Sequence, residues 1–64
     1  MIELTLPDMT CGHCVQTVTR TVQRVDPAAR VRTDLGTHKV QIEAQASRER
    51  IVTALAAEGY PAQE

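Results

Sequence analysis

Cys11 and Cys14 are the only thiols of this 64-residue chain, and both lie in the run Met9-Thr10-Cys11-Gly12-His13-Cys14. Two sulfurs at this spacing can clamp a soft metal ion or close a disulfide. The run follows a strand-like segment and opens a helix-like one. A thiolate at a helix N-terminus is stabilised by the dipole and by unbonded backbone N–H groups, which lowers its pKa. Two imidazoles, His13 and His38, and one aromatic ring, Tyr60, are the other groups with chemistry to offer.

The elements that must hold this loop are legible as periodicities. Ile2, Leu4 and Leu6 alternate with Glu3 and Thr5, a half-buried strand that Pro7 ends. Val15, Val18, Val22 and Val25 recur at helical spacing and predict an amphipathic helix from Cys14 to Val25, closed by Asp26-Pro27. Ala29, Val31, Thr33 and Leu35 alternate with polar residues, as do Val40, Ile42 and Ala44. The two runs read as a β-hairpin with Gly36 supplying the left-handed residue. Ser47 is a candidate N-cap for a second helix through Glu58 with Ile51, Val52 and Leu55 inward, and Gly59 fits its C′ position. The capping box is absent, because Arg50 stands where Glu or Gln would. Residues 60–64 remain for a very short last strand.

The order β-α-β-β-α-β predicts an α+β, ferredoxin-like open sandwich, with two helices on one face of a four-stranded antiparallel sheet. In that topology the cysteine loop, the Gly36 turn and the Gly59-Tyr60 turn meet at one edge. Residues 1–64 are read as a single domain with one modest core, built without Phe or Trp. Seven Lys+Arg against eight Asp+Glu, scattered rather than clustered, offer no basic stripe, and nucleic acid is set aside. No stretch approaches the ~20 apolar residues of a membrane span, and the first residues lack the pattern of a secretory signal. With Met1 as the natural start the expectation is a cytoplasmic protein whose thiols stay reduced.

On these residues the chain resembles the heavy-metal-associated domain family, and within it the small bacterial copper chaperones. The match spans essentially the whole chain and rests on Met9-Thr10-Cys11-Gly12-His13-Cys14, the element order, and Gly59-Tyr60 before the last strand. The resemblance implies that Cys11 and Cys14 bind Cu(I), that the protein is not an enzyme, and that the ion passes to metal-binding domains of a copper-transporting P-type ATPase. Cu(I) is soft and accepts two thiolates, whereas Zn²⁺ prefers four ligands. The family places its equivalent methionine inward, so Met9 is expected to brace the loop. Relatives that handle zinc, cadmium or lead often carry an acidic residue where Thr10 stands. Gly12 is expected to let the backbone bend around the ion, and His13 to point to solvent. Partial inward placement is expected for His38, without ligation. Tyr60 resembles the bacterial tyrosine that faces the sulfurs, where eukaryotic relatives carry lysine. It either shields them and donates a hydrogen bond to a thiolate or caps the core. An apo monomer with a possible copper-bridged dimer completes the expectation.

Three rivals share the residues. A thiol–disulfide oxidoreductase also opens a helix with Cys-x-x-Cys, but the element order differs from that fold. A mercury or other soft-metal carrier, and a regulatory metal-binding domain of a P-type ATPase, would use the same two sulfurs.

Overall fold

Alternation of Leu4 with Glu3 and Thr5 leaves one face of an extended segment apolar, and that segment is β1 (Ile2–Thr5) in the computed structural model, which describes residues 1–63. It is followed by α1 (Gly12–Val25), β2 (Arg30–Asp34), β3 (Lys39–Glu43) and α2 (Arg48–Ala57). The three strands form one antiparallel sheet in the order β1-β3-β2, with Leu4 opposite Val40 and Val31 opposite Ile42. Both outer strands run against β3, and Thr5 and Asp34 both pair with Lys39. The loop after β1 and the β2–β3 turn therefore emerge at the same edge.

Helix α1 begins two residues earlier than the valine spacing required, and its Val18 and Val22 are fully buried. They join Leu4, Leu6, Met9, Ala29, Val40, Ile42, Ile51 and Leu55 in one core. Thr21, which the apolar pattern passed over, is buried too, and its hydroxyl is satisfied by the Thr17 carbonyl at 2.8 Å. At the start of α2, Ser47 caps as expected: its hydroxyl accepts from the Arg50 N–H at 3.2 Å. At the other end Gly59 takes φ 93°, Gly59 N–H bonds the Ala56 carbonyl, and Tyr60 N–H bonds the Leu55 carbonyl. This paired closure is a Schellman motif, which stops the helix and turns Tyr60 back toward the core.

Three expectations are corrected. The fourth strand is reduced to an isolated bridge between Thr5 and Gln63, with Gln63 N–H donating to the Thr5 carbonyl at 2.7 Å. The next hydrogen-bonded pair of that antiparallel ladder, toward the cysteine loop, would be Pro61 with Pro7, and neither has an N–H to give. Of the expected strand, residue 64 lies outside the described residues. Leu35 is 40% exposed rather than inward, because β2 ends at Asp34 and the alternation stops with it. Gly36 does not supply the left-handed residue of the β2–β3 turn; His38 does, at φ 59°. At Gly36 the constraint is space: its N–H bonds Asp34 Oδ1 at 2.9 Å, and a Cβ there would sit 3.3 Å from that oxygen.

Candidate metal site

Cys11 is the N-cap of α1, in extended backbone at φ −150° and ψ 169°. Its carbonyl accepts from Val15 N–H, but its side chain makes no capping hydrogen bond, which leaves the sulfur free. Cys14 lies in the first helical turn, half-buried against the core, while Cys11 is exposed. The two sulfurs are 3.0 Å apart and unbonded. No carboxylate occupies the first turn. The positive end of the helix dipole thus faces the thiols without a competing anion in that turn.

The Cys14 thiol is lowered from the ordinary 9.0 to about 6. The Tyr60 hydroxyl contributes most, then the Cys11 thiol, then the backbone N–H of Thr10, against a smaller opposing effect of burial. Tyr60 is raised in return, chiefly because its proton is held toward Cys14, with Thr17 pulling the other way. These influences favour the ionised form of Cys14, whose sulfur lies 3.0 Å from that of Cys11.

The structure brings Cys11, Cys14 and Tyr60 together and separates the others by role. Met9 is fully buried in the core, and its N–H closes a turn onto the Leu6 carbonyl at 3.0 Å. Thr10 and His13 are exposed. Gly12 is the first residue of α1, and a Cβ there would meet nothing within 4 Å, so the fold itself makes no steric demand for glycine. Thr17 escaped the sequence reading, as did the partner of His38, whose partly inward placement was expected. Thr17 donates to the His13 carbonyl at 3.2 Å and opposes the upward shift of Tyr60, and its place one helical turn after Cys14 was the available signal. His38 is half-buried with Nδ1 2.9 Å from the Met9 carbonyl; only the topology reveals that contact. Among the described residues no group of three or more His, Cys, Asp or Glu could hold a metal ion together. The strong donors gathered at this edge are two sulfurs.

Comparison with known proteins agrees with this arrangement. The heavy-metal-associated domain family matches residues 3–61. The copper chaperone Atx1 from Synechocystis, solved as a point mutant in a trimeric form, superposes with a TM-score of 0.95 at 38% identity, covering 98% of this chain and 100% of that one. A gold binding protein superposes with a TM-score of 0.95 at 41% identity, covering 100% of this chain and 98% of its own. Oxidised MerP from Ralstonia metallidurans gives a TM-score of 0.85 at 26% identity, covering 97% and 90%. Among curated proteins none matches. A dithiol loop at the head of α1, on two helices and an antiparallel sheet, places this chain in the heavy-metal-associated domain family.

Proposed function

We propose that the protein is a copper chaperone that holds Cu(I) between the sulfurs of Cys11 and Cys14 and passes it on by thiol exchange. The observation that carries this reading is the sulfur pair itself: 3.0 Å apart, one exposed, one ionised near neutral pH, at a helix N-terminus. Two thiolates satisfy a soft monovalent ion and leave its remaining positions open. An incoming thiol can then attack while both original sulfurs remain bound, so transfer lowers the exchange barrier without weakening the bound state. With metal–thiolate bonds of about 2.3 Å, the length typical of zinc, a linear site needs sulfurs about 4.6 Å apart. Loading therefore separates the pair by roughly 1.6 Å from its present 3.0 Å. Cys11, exposed and uncapped, is the sulfur free to swing, and it meets the partner first.

Tyr60 keeps Cys14 ionised, so binding near neutral pH has one proton fewer to displace. The recipient in this reading is a metal-binding domain of a copper-transporting P-type ATPase, and the setting is the cytoplasm, where both thiols stay reduced. Residues 1–64 act as one domain, monomeric when metal-free and able to share an ion across a copper-bridged dimer. Likeness to a gold binding protein supports a second reading in which the same sulfurs carry another soft, thiolate-seeking ion such as Hg²⁺.

Anaerobic titration of the reduced protein with Cu(I) against a chromophoric chelator, with X-ray absorption on the product, tests the proposal. One ion per chain with sulfur neighbours only, lost in Cys11→Ser and Cys14→Ser, is expected. An ion without sulfur neighbours, or undiminished retention in either single variant, refutes the two-thiolate site. Tight uptake of Hg²⁺ with none of Cu(I) selects the second reading.

A further inference from the structure

His38 has no part in the proposed transfer, yet it is the one non-glycine residue at positive φ among those described. A residue with a Cβ adopts that region at a cost, and here two contacts offset it. The His38 carbonyl accepts from Leu6 N–H at 2.8 Å, and its Nδ1 lies 2.9 Å from the Met9 carbonyl. Between those points the chain closes on itself through Met9 N–H and the Leu6 carbonyl at 3.0 Å. One residue of the β2–β3 turn therefore ties both ends of the turn that leads into Cys11. A carbonyl only accepts, so Nδ1 carries the proton; it does so in one neutral tautomer and in the imidazolium, and the bond holds in both.

The Met9 carbonyl and the Thr10 N–H belong to one trans, planar peptide, and they point in opposite directions. A donor that grips the carbonyl from the turn side fixes the direction of the N–H on the other. Thr10 directly precedes Cys11, so the peptide that His38 holds is the one from which the first sulfur's residue departs.

We infer that His38 is the positioning residue of the metal loop: its carbonyl and imidazole hold the Leu6–Met9 turn at both ends and so fix the Met9–Thr10 peptide that leads into Cys11. The inference rests on the reading of Cys11 and Cys14 as the metal-holding pair. Two variants separate backbone from side chain. His38→Gly keeps the left-handed backbone and removes the donor, while His38→Asn tolerates that backbone and places an amide Nδ2 near the position of the imidazole Nδ1.

Amide hydrogen exchange of Thr10, followed by NMR on the reduced metal-free protein, reads the latch. Cu(I) loss from the loaded protein to a chelator reads its consequence. In His38→Gly, Thr10 exchange and Cu(I) loss are both expected to quicken about threefold to tenfold, the worth of one hydrogen bond, with thermal stability retained. His38→Asn is expected to return both toward the parent values. Unchanged Thr10 exchange in His38→Gly, or no recovery in His38→Asn, overturns the latch. Faster Thr10 exchange with unchanged Cu(I) loss overturns its link to the metal. A parent protein that takes up no Cu(I) counts against the two-sulfur reading, and the Thr10 measurement still decides the latch.

Discussion

Met9 stands two residues from the first sulfur, and its thioether is a chemically plausible copper ligand, so its burial makes a sharp prediction. The side chain is fully enclosed in the core with Leu4, Leu6 and Val18 among its companions. Truncation in Met9→Ala removes buried atoms and leaves a cavity, at a cost of about 2–5 kcal/mol. A domain of this size has only roughly 3–5 kcal/mol to lose. With a urea slope of about 1 kcal/mol/M, the midpoint of the reduced metal-free protein drops by about 2 M or more, to the edge of unfolding. Met9→Leu conserves volume and costs less than about 1.5 kcal/mol. Urea denaturation followed by circular dichroism measures both. Cu(I) competition on the folded Met9→Leu protein then separates core from ligand. The expected outcome is parent-like retention, because the thioether faces inward. A folded Met9→Leu protein that releases Cu(I) readily refutes the reasoning, as does a Met9→Ala protein destabilised by less than about 1 kcal/mol.

Four further outcomes follow from the electrostatics. Alkylation of reduced protein across pH should show an inflection near 6 for Cys14, and Tyr60→Phe should move it upward; a parent inflection near 9 contradicts the site geometry. The folded-state value lies below the ordinary 9.0, so the stability linked to Cys14 is complete above that pH. It is lost as pH falls through about 6. Urea midpoints of the metal-free protein should therefore decline between those limits, less so in Tyr60→Phe. Asp26 accepts from the Gln45, Ala28 and Ala46 N–H groups at 2.8, 3.1 and 3.4 Å, which holds its carboxyl below the usual range. Its contribution is present above the ordinary 3.8 and lost as pH falls through the lowered value. Asp26→Ala should lower Tm by several degrees at pH 7 and by less in acid, readable by calorimetry. The Arg24–Glu58 pair at 2.8 Å joins the two helices in solvent, and Arg24→Gln should cost about 0.5 kcal/mol or less by urea denaturation.

Legibility in the sequence followed burial. Strand β1 and strand β3 announced themselves because each has one face in the core and one in water, which forces a period of two. Helix α1 showed through its valines for the same reason. Strand β2 was blurred: it is the sheet edge, its inward Val31 and Thr33 are only half-buried, and a continued alternation carried the reading past its end to Leu35. The last strand was overextended because the prolines that would face each other in its ladder, Pro7 and Pro61, are far apart in sequence, and only the Thr5–Gln63 register sets them opposite.

Residue types and spacing alone determined that two thiols sit between a strand and a helix, and that soft-metal or dithiol chemistry is what they can do. Local sequence suffices for that, because a helix N-terminus and a three-residue separation are short-range properties. Only the tertiary structure decided which groups tune the pair. Tyr60 arrives beside Cys14 because the Schellman closure of α2 turns it inward, and His38 reaches the Met9 carbonyl because β1 and β2 end against the same residue of β3. Those contacts join residues 29 or more positions apart, and no local pattern encodes them; the sheet register does.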